Sequence, residues 1–248
     1  MRLIPTLAAL ALSTTLANAQ DTGDMTAAQR EAFRAEVRAY LLENPEVLME
    51  AIGVLEARQE EAEATRDQRY AQLNADALIN DGFSYQGGNP DGDVTIIEFI
   101  DYRCGFCRRA HPEVAELIET DGNIRIITKE FPILGEQSML ASQFAVATKL
   151  IAGDDAYKEV SDALIALRTD VSPASLGSIA DAFDLAGDAI FAEMESEAVR
   201  EVLANNRALG ERMQITGTPT FVFGDEMVRG YLPLAQMRLI VEDQRDGG

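Results

Sequence analysis

The chain has 248 residues, 47% of them hydrophobic and 25% charged, an ordinary globular composition with enough apolar material for a full core. Lys and Arg total 21 against 42 Asp and Glu, a formal net charge of -21, which disfavours binding to nucleic-acid phosphates and to anionic membranes alike. With two cysteines and one histidine, a zinc site of four cysteines, or of two cysteines and two histidines, is impossible within one chain. A Ser-His-Asp hydrolase would rest on His111 with no Gly-x-Ser-x-Gly beside it.

Met1-Arg2 is a short positive segment, residues 3–16 are an apolar run, and Ala17-Asn18-Ala19 is a small-x-small cleavage pattern. Together they predict a signal peptide over residues 1–19. The run is short for a membrane span, and no later stretch is apolar enough to provide one. Gln20 rather than Cys follows the cut, which argues against a lipid anchor. The expected product is free of stable membrane insertion and lives in an oxidising compartment, where cysteines usually form disulfides.

Residues 20–80 read as helical. Thr26-Ala27-Ala28-Gln29 is a capping box. Phe33, Val37, Tyr40 and Leu41 then lie on one helix face. Asn44-Pro45 breaks and restarts the helix. From Pro45 to about Ile79 only Gly53 interrupts, with an apolar stripe at Val47, Leu48, Ile52 and Leu55. Residues 56–69 are almost wholly polar and are expected to run through solvent. Two apolar stripes far along the chain from the next core segment need a partner, and identical stripes on other copies are the nearest candidates. The region is therefore expected to be an oligomerisation stalk acting through residues 26–60, with an amphipathic hairpin folded on the main domain as the alternative.

From residue 81 the period changes. Asn89-Pro90-Asp91-Gly92-Asp93 is a turn signal, and residues 94–100 form an apolar, β-branched strand. Residues 103–119 read as a helix and 124–128 as a second strand. This is a β-α-β unit, so its two strands should be parallel. Residues from 136 to about 213 are helical in pieces, with breaks at Gly153-Asp154, 171–173 and Gly187-Asp188. A strand at 220–223, an antiparallel return at 227–231 and a helix over 233–243 complete the chain.

The two cysteines form Cys104-Gly105-Phe106-Cys107, directly after the first buried strand. At a helix N-terminus, unpaired N–H groups and the helix dipole favour an anion, so the Cys104 thiol should be acidified. Cys107, one turn further in, is placed to resolve a mixed disulfide. A bridge across so small a loop is a poor staple. A metal site would muster three ligands with His111. Redox chemistry is the preferred reading.

The run from Glu98 to Pro112, with 129–135 and Gly217-Thr218-Pro219-Thr220-Phe221, resembles the DsbA family of thioredoxin-fold thiol oxidoreductases of bacterial periplasms. Residues 40–48 are similar to the N-terminal oligomerisation region of its copper-sensitivity suppressor branch, ScsC. The resemblance implies an α/β thioredoxin fold over residues 81–248 with an inserted helical domain at about 136–213, preceded by the helical stalk. It implies Cys104 and Cys107 as the redox pair and Pro219, after Thr218, as the family's cis-proline beside the substrate strand. It also implies Glu98 as a buried acid serving the resolving thiol. An unpaired charge in an apolar strand is costly, which raises its pKa, and Lys129 is expected to pair with it across the sheet. A solvent-facing Glu98 and a trans Pro219 are the alternatives. His111 is read as a solvated helix residue.

Where the oxidase has His between its cysteines, this chain has Gly105-Phe106. Thr218 resembles the isomerases of the family, where the oxidase has Val. The expected function is periplasmic thiol–disulfide exchange on unfolded or misfolded secreted proteins, as an oligomeric isomerase recharged by a membrane redox partner. It would need neither metal nor cofactor, since the dithiol is the redox group. The rivals are a monomeric dithiol oxidase and a copper-binding or copper-tolerance protein using Cys104 and Cys107.

Overall fold

The computed structural model describes residues 25–247, so the signal peptide expected over 1–19 lies outside the described residues. The chain forms two compact units that divide between Arg58 and Gln59. The first holds α1 (Ala27–Glu43) and the beginning of α2 (Glu46–Leu73). The Thr26 side chain accepts from the Gln29 amide while the Gln29 side chain accepts from the Thr26 amide, so the capping box forms as the sequence implies. The Asn44 amide group donates to the Tyr40 carbonyl over 2.9 Å and closes the helix. α1 buries no residue. Its Phe33, Val37 and Tyr40 are 41–56% exposed, and in α2 Leu48, Met49, Ile52 and Leu55 are 47–68% exposed.

In the second unit, α3 (Ala75–Ile79) precedes a five-stranded sheet of order β1-β3-β2-β4-β5. The strands are β1 (Tyr85–Gly88), β2 (Val94–Ile100), β3 (Ile124–Glu130), β4 (Thr220–Phe223) and β5 (Glu226–Arg229). β2 and β3 run parallel across α4 (Gly105–Asp121), as a β-α-β crossover requires, and every other pair is antiparallel. Between β3 and β4 lie α5 (Glu136–Ala166), α6 (Pro173–Ala182), α7 (Gly187–Met194) and α8 (Glu197–Arg212), and α9 (Leu234–Asp246) ends the fold. This is the thioredoxin arrangement with the expected helical insertion. β1 went unforeseen, as did the break at Ser196, which caps α8. Gly153, at φ 88°, breaks α5 at the foreseen position, in a left-handed conformation that favours glycine.

Strand alternation sorts the core into two faces. Ile96, Ile124 and Ile126 pack with Val114 and Leu117 of α4 and Met237 and Val241 of α9. Ile97, Phe99 and Ile127 pack on the opposite face with Ala71, Leu78, Leu209 and Met213. Gly210 lets α8 approach Phe131: a Cβ there would lie 2.4 Å from the ring.

One expectation about the stalk is corrected here. The larger compact unit begins at Gln59, so the second half of α2 belongs to it. The whole of 56–69 does not run through solvent. Asp67 is 7% exposed and binds Arg229 of β5 through two hydrogen bonds of 3.0 and 2.9 Å. Ala71 is buried, and Gln68 and Gln72 both donate to Asp225. A polar helix can join a core through paired charges that no hydropathy pattern reveals.

Candidate active site

β2 ends at Ile100, and Asp101 then shapes the connection into α4. Asp101 is fully buried. Its Oδ1 accepts from the Arg103 amide at 2.8 Å, an Asx-turn, and its Oδ2 accepts from the Ile133 and Leu134 amides at 2.9 and 3.0 Å. One carboxylate thus fastens the cysteine loop to the β3–α5 loop. The sequence reading missed it, although an Asp two residues before a turn amide is a local signal.

Cys104 is the N-cap of α4, and Cys107 lies inside the helix. Both thiols are free. Cys104 retains 7% exposure and Cys107 none. The Cys104 thiol donates to the Thr218 carbonyl over 3.1 Å. Its pKa falls from 9.0 to about 5, chiefly because the Cys107 thiol donates to the thiolate, aided by Thr218 and the amides of Cys107 and Phe106 against the cost of burial. Cys107 moves far upward: the bond it gives to Cys104, burial and the nearby Glu98 carboxylate all favour its protonated form.

The Thr218–Pro219 peptide is cis. Thr218 is half-buried and Pro219 buried, so Pro219 offers little apolar surface of its own. The exposed apolar groups of this end include Phe106, at 60%, and Ile133 and Leu134 on the loop that Asp101 holds, at 37% and 53%.

Glu98 is buried, at 4% exposure, and its Oε1 has no hydrogen-bond partner among the described residues. Burial, reinforced by Glu130 and opposed by His111, lifts its pKa to about 7. The expected pairing with Lys129 does not occur. Glu98 is opposite Thr128 in the parallel register, and Lys129 is opposite Phe99. Neighbouring positions on a strand face opposite sides, so Glu98 looks towards α4 while Lys129 looks away. Lys129 binds Asp81 and donates to the Ala77 carbonyl at 3.0 Å. The structure therefore brings together Cys104, Cys107, Thr218, Pro219 and Glu98, and leaves Lys129 outside the site.

His111 is corrected too. Its side chain is 26% exposed, and its Nε2 lies 3.0 Å from Asp162 Oδ1 on α5. Glu130, also unforeseen, is held by the hydroxyls of Tyr102, Tyr157 and Ser142, each at 2.6 Å, and burial lifts its pKa to about 7. It ties β3 to the helical insertion. Among the described residues no group of three or more His, Cys, Asp or Glu side chains is arranged to hold a metal, and no helix is long and apolar enough to cross a membrane.

A thioredoxin family model matches residues 81–243, and the model of the copper resistance protein ScsC N-terminal domain matches residues 29–62. A thioredoxin-like oxidoreductase from Silicibacter pomeroyi is 34% identical with a TM-score of 0.64, over 69% of this chain and 97% of that one. ScsC from Proteus mirabilis in a transitional conformation is 28% identical with a TM-score of 0.66, over 92% of this chain and 100% of that one. Disulfide bond formation protein D of Bacillus subtilis is 22% identical, over 64% of this chain and 76% of its own length. The chain spans only 20% of the length of two further curated relatives, Na(+)/H(+) antiporters of Salinispora species, each 29% identical over the aligned part.

Proposed function

The chain belongs to the thioredoxin family, and from that membership we propose that it is a thiol–disulfide oxidoreductase acting on proteins. The observation that carries this is the opposite treatment of two neighbouring thiols: Cys104 is acidified to about 5 while Cys107 is held protonated. The Cys104 thiolate attacks a client disulfide, forming a mixed disulfide and expelling one client thiolate. Cys107, deprotonated towards Glu98, then attacks Cys104, releasing the second client thiolate and closing the Cys104–Cys107 disulfide. Two electrons pass to the client, which takes two protons from water. The reverse sequence oxidises a client dithiol. The dithiol carries the electrons, so no cofactor takes part. The contact of Cys104 with the Thr218 carbonyl supports a substrate strand lying beside Cys104.

The finer reading is an oligomeric isomerase of the periplasm. The leader pattern at 1–19 supports the compartment, and Thr218 supports isomerisation. The open apolar side chains of α1 and early α2 support self-association, since monomers rarely leave so many together in water. Unfolded and misfolded secreted proteins would be the clients, with a membrane redox partner resetting the dithiol.

Trapping tests the core of this. Cys107→Ala protein exposed to a periplasmic extract should accumulate disulfide-linked clients that disappear on reduction. The Cys104→Ala variant should accumulate none. Equal yields from the two would overturn the assignment.

A further inference from the structure

The exchange reading sends the Cys107 proton to Glu98, a buried carboxylate with one oxygen unpartnered among the described residues. A proton left there stops the next cycle, so Glu98 needs a route to solvent. Lys129, the cation nearest to it in the register of the neighbouring strand, lies on the other face and is bound to Asp81.

Another side chain is placed for the task. Cys107 and His111 are four residues apart on α4, one above the other on the face turned to β2. Glu98, His111 and Asp162 line one cavity of about 50 Å³, a volume that admits water. Its other polar wall comes from Tyr157, Lys158 and Ser161 of α5. Tyr85 of β1 and Thr128 of β3 complete it, both uncharged at neutral pH. From beyond this wall, the Glu130 carboxylate opposes a charge on Glu98. His111 stands where the cavity meets solvent: its side chain is 26% exposed, and Asp162, bound to its Nε2, is 43% exposed. Lys158 closes the far side of Asp162 at 2.5 Å.

We propose that His111, oriented by Asp162, is the exit through which the proton taken from Cys107 by Glu98 reaches solvent. The proton moves from Cys107 sulfur to a Glu98 oxygen, through water in the cavity to an imidazole nitrogen, and from the imidazole to bulk water. No bond other than those to the proton changes, and the imidazole returns to its starting form in each cycle. Imidazole suits the task because one ring nitrogen can accept a proton while the other releases one. His111 is a positioning and relay group and touches neither sulfur. This rests on the exchange reading and deepens it.

The test isolates the resolving step. Full-length protein is joined at Cys104 to a small peptide thiol, and peptide release is followed by stopped flow at several pH values. His111→Ala and His111→Gln should both release the peptide roughly tenfold more slowly, less than the hundredfold or more of a direct general base because His111 acts one step removed from the sulfur. Both should show a larger rate difference between H2O and D2O. Imidazole added at constant pH should restore the His111→Ala rate, while the Cys104 alkylation rate stays unchanged. The Gln variant can keep a bond to Asp162 but carries no proton. Wild-type rates in both variants would overturn the inference. So would recovery in Gln with no response to imidazole, which marks a purely structural bond between α4 and α5. A wild-type protein that never releases the peptide would instead overturn the exchange reading itself, and this inference with it.

Discussion

The Cys104 thiol donates to the Thr218 carbonyl across 3.1 Å, joining the cap of α4 to the loop that enters β4. That bond belongs to the protonated thiol; once Cys104 has lost its proton, the bond given by Cys107 holds and stabilises the thiolate. Since the Cys107 bond is the largest cause of the shift, Cys107→Ala should raise the Cys104 pKa well above about 5, towards 9.0. Ultraviolet absorbance of the thiolate against pH measures this. An unchanged midpoint would assign the acidity to the helix end and Thr218 instead.

The same shift ties stability to redox state. Cys104 in the folded, reduced protein loses its proton near pH 5, whereas the unfolded chain holds it to about 9. The unfolded state binds more protons in that window, so folding of the reduced form strengthens as pH rises from 5 to 9 and weakens as pH falls back through 5. The disulfide form has no such group. Glu98 and Glu130 titrate in both forms and largely cancel in the difference. Denaturant unfolding of both forms at pH 5, 7 and 9 should show the reduced form gaining on the oxidised one; a constant gap would refute the shift.

Glu98 works in the opposite sense. Its folded pKa of about 7 exceeds the ordinary 4.5, so its contribution to stability is complete below pH 4.5 and is lost as pH rises through 7. That rise corresponds to about 3 kcal/mol. Glu98→Gln stays neutral throughout. Its stability relative to the parent should therefore increase by up to about 3 kcal/mol between pH 4.5 and 8. Parallel pH profiles for the two proteins would show that Glu98 is not desolvated.

How far the sequence discloses this architecture depends on the range over which each signal acts. β2, α4 and β3 are legible because a continuous Ile, Val and Phe run, a Cys-x-x-Cys pair and a second apolar run are local patterns. β1 is not: Tyr85-Gln86-Gly87-Gly88 is a half-exposed edge strand with two glycines, and only pairing with β3 makes it a strand. The placing of Glu98 against Lys129 failed on strand alternation: Thr128 is the register partner of Glu98, and Lys129, one position along the same strand, faces the other side. Asp81–Lys129 and Asp67–Arg229 join residues 48 and 162 positions apart, and no local pattern announces such pairs. His111 read as solvated because four-residue spacing places it below Cys107 but says nothing of Asp162 on a distant helix.

The Asp67–Arg229 pair supports a stability prediction. Asp67 keeps 10% side-chain exposure and Arg229 keeps 35%, so the arginine is partly in water and the carboxylate is not. Arg229→Met leaves a buried carboxylate without its two charged hydrogen bonds. The loss should be about 2 kcal/mol, below the range for a fully buried pair because water still reaches the arginine site. Replacing both, Asp67→Leu with Arg229→Met, should recover most of it. Urea denaturation of the three variants checks this, and a double variant as unstable as the single one would show that the loss came from packing.

The last prediction separates isomerase from oxidase and places the cut between the two units. Removal of residues up to Arg58 takes away the exposed apolar side chains of α1 and early α2 and leaves the larger unit whole. Removal up to Ala71 also takes Asp67 from Arg229, Gln68 from Asp225 and the buried Ala71 methyl from its core. The shorter truncation should yield a stable monomer, and the longer one a monomer weaker by about 3 kcal/mol or more. Light scattering and denaturation report both. An isomerase must hold a misfolded client while its pairings change, and several active sites on one assembly supply a high effective concentration for that. An oxidase needs one site and gains nothing from the assembly. Full-length protein should therefore restore scrambled ribonuclease, while the Arg58 truncation, with its dithiol intact, should lose most of that activity and still oxidise reduced substrate. Equal rescue by the two proteins, or a full-length protein already monomeric at micromolar concentration, would replace the isomerase with the monomeric oxidase.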